Sequence, residues 1–265
     1  MYNWSGAEKY PEYFLKYPFL KANLLTHLDY TVLKTFDIPT PLSDKFSSSD
    51  SPDLLKQNLK TQPSDWHYRT KDVRYNCNSN GYRADEWDTI DWPNAVVIFG
   101  CSCTVGVGLA EDETISYQLS TILNRPVINM GVSASSMQHS FINSMLLAKN
   151  FTTPYAVIHL WTNIDRFTVF NKQDIEHIGP WDSEHFSESI VMNPYQSMLT
   201  AAYTSMSSRE FWKNKCRYYS ASFFEATAHY TESDWVSIDN QARDLIHPGK
   251  GSAKQMADLI AENIT

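Results

Sequence analysis

The sequence predicts a three-layer α/β/α sandwich around a central parallel sheet of about five strands, preceded by an N-terminal extension. Three observations carry this. Ala95 to Phe99 is an apolar run rich in β-branched residues with no polar alternation, as suits a strand buried on both faces. After it, strand-like runs alternate with amphipathic segments at helical spacing, the pattern of right-handed βαβ units. The chain then closes on a helical pattern, Gly251 to Ile264, with Met256, Leu259, Ile260 and Ile264 on one face. The 265 residues are 42% hydrophobic and 20% charged, enough apolar material for a packed core.

Taken in order, residues 1–65 read as a helical extension and linker. Phe14, Leu15, Phe19, Leu20, Leu24, Leu28, Val32 and Leu33 recur at roughly helical spacing, interrupted by Pro18. The polar face of this pattern is not strongly basic, which favours packing on the body over a membrane surface. Residues 41–65, with Ser47-Ser48-Ser49-Asp50-Ser51-Pro52, have the composition of an exposed connection. Residues 66–265 form the α/β domain. Within it, residues 66–93 are turn-rich, and Asn80-Gly81 is a hairpin signal, so a small β-arm is expected to lead into the core. The first core strand is followed by a helix opened by Asp112-Glu113-Thr114, with Ile115, Leu119, Ile122 and Leu123 facing inward. A strand at Val127–Met130, a helix from Ser135 to Asn150 and a strand at Tyr155–Trp161 come next. Residues 166–234 are less legible: a helix is expected from Ser208 to about Ser220 and a strand near 221–228; after them a last short strand is expected at Trp235–Asp239. No internal repeat is apparent.

Composition narrows the function classes. The formal charge is −8 and no Lys/Arg cluster occurs, which argues against a nucleic-acid partner. No apolar stretch approaches the ~20 residues needed to span a bilayer, and the N-terminus lacks a basic start with an apolar run. A cytoplasmic protein is therefore expected. The four cysteines are too few for a disulfide framework in a chain this long. Cys101 and Cys103 lack the spacing of zinc pairs and read as small packing residues. His159, inside a strand pattern, reads as a hydrogen-bonded core histidine, and His139, His177 and His185 show no metal-ligand spacing. No metal or organic cofactor is expected. Trp181 and Trp212 could stack on sugar rings, but aromatic residues in an apolar segment more often belong to the core.

Chemistry concentrates where the strands end. Three strands deliver Ser102, Gly131 and Asn163 to the carboxyl edge of the sheet, where open α/β sheets keep their ligands. A hydroxyl, a backbone N–H and an amide donor suit nucleophilic attack on an ester with stabilisation of the developing oxyanion. Asp244-Leu245-Ile246-His247-Pro248 supplies the missing base: His247 to take the Ser102 proton and Asp244 to fix its tautomer, on one tight turn.

These residues resemble those of the SGNH (GDSL-type) hydrolase family, over about residues 78 to 263. Gly100-Cys101-Ser102, followed by Thr104, Gly106 and Gly108, is similar to the family's Gly-Asp-Ser block. Asn129-Met130-Gly131 matches its Asn-x-Gly block, and Asp244 to Pro248 its Asp-x-x-His-Pro block. Trp161-Thr162-Asn163-Ile164 stands at the Gly-x-Asn-Asp block, with Asp165 one place late, and Asn78-Ser79-Asn80-Gly81-Tyr82-Arg83 resembles a segment that precedes the core in some members. Cys101 replaces the first block's Asp, and Trp161 a small glycine. Thr104 also breaks the Gly-x-Ser-x-Gly elbow of the α/β-hydrolases.

The resemblance implies an SGNH or flavodoxin-like sandwich with Ser102 as nucleophile and Asp244 and His247 completing a triad. It implies an oxyanion hole of the Ser102 N–H, the Gly131 N–H and the Asn163 side chain. The activity it implies is that of a serine ester hydrolase on a small-molecule or carbohydrate ester, foremost a carbohydrate O-acetyl esterase or short-chain esterase. An O-acyltransferase using the same triad and a catalytically silent binding or structural module are the alternatives.

Overall fold

A computed structural model describes residues 44–170, 175–181 and 193–265. The expected helices within residues 1–40, and His185, lie outside these. The described chain opens with helix α1 (Pro52–Thr61), capped by the Ser51 side chain on the Leu54 N–H. The core follows as β1 (Val96–Gly100), α2 (Ser102–Val105), α3 (Ile115–Leu123), β2 (Val127–Gly131), α4 (Met137–Asn150) and β3 (Ala156–Trp161). Next come an antiparallel pair β4 (Phe167–Phe170) and β5 (Ile175–Ile178), then α5 (Pro194–Trp212), β6 (Arg217–Ser222), α6 (Glu225–Thr231), β7 (Asp234–Trp235) and α7 (Lys250–Ile264).

The central sheet has five strands in the order β2-β1-β3-β6-β7, all parallel. Alternation along β3 shows the layers. Ala156, Ile158 and Leu160 pack with Ile115 and Leu119 of α3 and with Met256, Ala257 and Ile260 of α7. Val157 packs on the other face with Leu146 and Leu147 of α4 and with Trp212 of α5. The three-layer α/β/α sandwich expected from the sequence is thus present. Because β1 has β2 on one side and β3 on the other, the strand order reverses at its carboxyl end, the position at which open α/β sheets generally hold their ligands. Register puts Gly100 beside both Gly131 and Leu160, so the segments after β1, β2 and β3 leave the sheet at one level.

Several expectations are corrected. Residues 66–93 contain no strand. The turn at Asn78–Gly81 forms, with Gly81 N–H donating to Asn78 O (2.9 Å), but no ladder extends from it. The buried Arg83 guanidinium instead takes the carbonyls of Arg74, Gly106 and Leu109, and its Nε meets Glu111 at 2.9 Å. Ile122 of α3 faces solvent, while Ile115 and Leu119 are buried. The helix placed at 208–220 lies earlier, at Pro194–Trp212, and β6 begins at Arg217. Helical periodicity misleads here because α5 turns Tyr195, Leu199, Tyr203 and Met206 outward. It buries the small or polar Ser197, Ala201, Thr204, Ser205 and Ser208 instead. Strand β7 has only two residues, and both are exposed.

Candidate active site

Ser102 is the first residue of α2, directly beyond the carboxyl end of β1, and is 4% exposed. The turn that seats it requires glycine at position 100: a Cβ there would lie 2.0 Å from Thr104 Oγ1 and 2.7 Å from Leu160 O. As an opening residue of the helix, Ser102 has a backbone N–H with no intrahelical acceptor.

The partner turn comes from the far end of the chain. Residues 242–247 form a closed loop in which Ala242 N–H donates to His247 O (2.9 Å) and Leu245 N–H to Ala242 O (3.0 Å). Leu245 sits in the left-handed region at φ 59°, a conformation that a non-glycine residue holds only where its surroundings fix it. The loop docks at Gly108, whose carbonyl accepts from Arg243 N–H at 3.1 Å. A Cβ on Gly108 would meet Ala242 Cβ at 2.9 Å, and its φ of 77° also suits glycine. Gly108 thus sets how closely the distant turn approaches the serine.

This docking brings Ser102, Asp244 and His247 together. His247 Nε2 lies 2.7 Å from Ser102 Oγ, and His247 Nδ1 lies 2.6 Å from Asp244 Oδ2. An ionised carboxylate only accepts, so Nδ1 carries the ring proton and Nε2 presents its lone pair to the serine hydroxyl. Asp244 is 1% exposed and His247 9%. Burial alone would raise the Asp244 carboxyl. The hydrogen bond and charge of His247, the Ser49 hydroxyl and the His247 backbone N–H outweigh it and hold the group below its ordinary value. Asp244 Oδ1 accepts from the Ile246 and His247 N–H groups, both at 3.1 Å.

One neighbour was not foreseen. Ser49 Oγ donates to Asp244 Oδ2 at 2.7 Å. The segment around it is no exposed connection: Asp50 is buried and pairs with Arg243, Nη2 to Oδ2 at 2.6 Å and Nε to Oδ1 at 3.0 Å. Tyr75 OH also donates to Asp50 (2.6 Å) while accepting from Gly108 N–H (2.7 Å). From α1, Asn58 Nδ2 donates to Arg243 O at 3.0 Å. A serine-rich run carries no local mark of such docking, because its partners lie nearly two hundred positions away.

The other residues expected at the site are placed less simply. The Gly131 N–H donates to Asn129 Oδ1 (3.0 Å), and Asn129 Nδ2 donates to Thr104 O (2.8 Å). The Asn-x-Gly spacing therefore ties the end of β2 to α2. Asn163 stands two residues beyond β3, with Nδ2 donating to Asp165 Oδ2 at 3.2 Å. Burial raises the Asp165 carboxyl, and the Arg166 charge opposes this. The Trp161 indole stacks on His159 (centroids 4.4 Å apart, planes at 14°) and is buried with Met137 and Ala201, toward the helix layer of α4 and α5. His159 is a core histidine, with Nδ1 3.2 Å from Ser208 Oγ. Cys101 and Cys103 are buried in the core, and none of the four cysteines is in a disulfide. Trp212 is fully buried and Trp181 is half exposed, with Arg166 over its ring. Among the described residues there is no group of three or more His, Cys, Asp or Glu side chains arranged to hold a metal ion. No helix among them is long and apolar enough to cross a membrane.

No family model and no curated protein sequence matches the chain. Solved structures do. A candidate lipolytic protein of the G-D-S-L family from Desulfitobacterium hafniense is similar at 14% identity, over 65% of this chain and 99% of that one, with a TM-score of 0.42. A carbohydrate esterase family 2 enzyme with a carbohydrate-binding domain, from Corynascus thermopiles (Myceliophthora fergusii), is similar at 10% identity, over 64% of this chain and 65% of that one, TM-score 0.42. The psychrotrophic esterase EstA from a Pseudoalteromonas species is similar at 13% identity, over 64% and 96%, TM-score 0.37.

Proposed function

We propose that the chain is a serine ester hydrolase that works through a Ser102 acyl-enzyme. The observation that carries this reading is the unbroken hydrogen-bond path from Ser102 Oγ through His247 to Asp244, with separations of 2.7 and 2.6 Å, at the switch point of a parallel sheet. Ser102 Oγ would bond to the ester carbonyl carbon as its proton passes to His247 Nε2. The tetrahedral intermediate then expels the alcohol, which takes that proton from the imidazolium. Water, deprotonated by the same nitrogen, releases the acid and restores the serine.

The oxyanion needs donors. The Ser102 N–H is one, and the Asn163 amide another: Asp165 engages one of its protons and leaves the second. The Gly131 N–H would act only with Asn129 Oδ1 displaced or shared, since that oxygen accepts it in the resting site. The substrate class we assign is a short acyl ester, acetyl on a carbohydrate first. This part rests on the sequence resemblance, including the Asn78 to Arg83 segment.

A fluorophosphonate probe tests the reading without knowledge of the substrate. The expected result is a stoichiometric adduct on Ser102, no adduct in Ser102→Ala or His247→Ala, and hydrolysis of p-nitrophenyl acetate lost in both. An unlabelled wild-type protein, or undiminished hydrolysis in either variant, would overturn it.

A further inference from the structure

Among the described residues, the Asp244 carboxylate is held by four donors, and only one of them lies outside its own turn. Oδ1 takes the Ile246 and His247 N–H groups at 3.1 Å each, and Oδ2 takes His247 Nδ1–H at 2.6 Å. The fourth is the Ser49 hydroxyl at 2.7 Å, on the same oxygen that faces the imidazole; Ser49 Oγ is also 3.4 Å from His247 Nδ1. Ser49 does not reach this position by chance contact of a surface loop. The bridge between Ser47 and Asp50 folds the segment into a tight turn, with reciprocal N–H to O bonds of 3.1 Å. Asp50 is then gripped by Arg243, the residue immediately before Asp244, and by Tyr75. Lys45 O accepts a further bond from Arg243 Nη2 at 2.6 Å. The segment and the turn are thereby clamped to each other through adjacent residues on both sides: Asp50 beside Ser49, Arg243 beside Asp244.

We infer that Ser49 is a positioning residue of the proposed triad, a hydroxyl supplied by the segment ahead of the α/β core that fixes Asp244 and takes up part of its charge. The inference rests on the triad reading above. Its chemistry follows from sharing one oxygen. A buried carboxylate interacts with each donor through the same lone-pair density, so a bond from Ser49 leaves less basic character for the bond to His247. Removing the hydroxyl takes away the hold on the carboxylate from outside its own turn and makes it more basic. The imidazolium it faces is then better stabilised and gives up its Nε2 proton less readily. Among the described residues, the other charged or titratable groups near this pair are Arg243, neutralised by Asp50; Tyr68, whose ionisation burial and then the Glu113 and Asp244 charges disfavour; and Cys103, whose thiol the Cys101 hydrogen bond and then burial hold up. None of them donates to Asp244 Oδ2, so the Ser49 effect is separable from theirs.

The test is the pH profile of the second-order rate of Ser102 labelling by a fluorophosphonate in the 265-residue chain. Ser49→Ala is expected to lower the alkaline plateau about tenfold, the scale of one charge-assisted hydrogen bond, and to move the acid limb to higher pH. Ser49→Thr, which keeps a hydroxyl, is expected to restore both. Should the alanine variant fail to fold, Ser49→Cys carries the same comparison, since a thiol fills the space and donates only weakly. A Ser49→Ala profile that coincides with wild type overturns the inference. So does a lowered plateau with an unmoved acid limb, which is what a purely structural contact would give. A wild-type protein that takes no label removes the triad reading itself, an outcome distinct from either.

Discussion

Asp244 keeps its charge in a nearly dry site because its oxygens have donors on all sides, and that charge decides which imidazole nitrogen carries the proton. Asp244→Asn tests this at single-atom scale. The amide nitrogen would face His247 Nδ1 as a donor, draw the other tautomer and leave Nε2 protonated, unable to accept from Ser102. The expected result is a loss of about 10³–10⁴-fold in labelling or hydrolysis, with the folded structure retained. The same substitution removes a pH-dependent contribution to stability. The Asp244 carboxyl is held below its ordinary value, so its stabilisation is complete above about pH 4 and is lost as pH falls through the folded-state value. Urea midpoints should therefore depend less on pH below about 4 in the variant than in wild type, and parallel curves would contradict the assignment. At this scale the meeting of Ser102, Asp244 and His247 was legible only jointly, because a serine at a strand end or an Asp-x-x-His turn is weak alone and the two gain meaning from their order and spacing. Ser49 was not legible, because the same residue type in a serine-rich run means a connection unless its distant partner is known. The orientation of Trp161 was also beyond the sequence, since strand alternation gives a face but not which helix layer covers it.

Secondary elements reach the site through buried polar contacts as much as through the apolar core. The Asp50–Arg243 pair is the principal one, with side chains 1% and 6% exposed. A buried ion pair adds little net stability over an apolar substitute, but breaking one side leaves an uncompensated charge and costs about 3–5 kcal/mol. Arg243→Met should therefore lower the unfolding free energy by about that amount. It should also free residues 44–61 for proteolysis at protease levels that leave the wild-type segment intact. An unchanged melting temperature and cleavage pattern would show that the segment is held by other means. The strands β1, β2 and β3 and the helix α7 were legible because their apolar residues share a face or form a compact run. The segment after residue 166 was not. Helix α5 buries serine and threonine and exposes tyrosine and leucine, and β6, with the sequence Arg-Tyr-Tyr-Ser-Ala-Ser, buries two serines. Polarity patterns report burial only when polar residues stay outside, and here hydrogen bonds such as Ser205 Oγ to Thr231 O (2.9 Å) and Ser222 Oγ to Trp161 O (2.9 Å) bring them in.

For the molecule as a whole, the buried histidines set the acid limit of the fold. His159 is fully buried on β3, stacked between Trp161 and Phe99, and burial pushes its value down from 6.5 to about 3. Burial and then the neighbouring His177 hold His139 well below the ordinary range, and burial with the Arg166 charge brings His177 to about 4. All three shifts have the same sign. A histidine whose folded-state value is depressed is neutral in the native protein while the unfolded chain takes up a proton, so stability falls as pH drops below about 6.5 and continues to fall until the folded-state value is reached. For His159 alone, going from about pH 7 to about pH 4.5 should cost about 2–3 kcal/mol. His159→Gln keeps a hydrogen-bonding side chain but cannot titrate. Its expected behaviour is a lower stability than wild type at pH 7, from disturbed ring packing, and a shallower decline toward pH 4.5, so that the two stability curves converge on acidification. Urea unfolding across that range measures both slopes. Equal slopes would mean that His159 is hydrated or protonated in the native state, and the stacked, dry environment described for β3 would have to be abandoned.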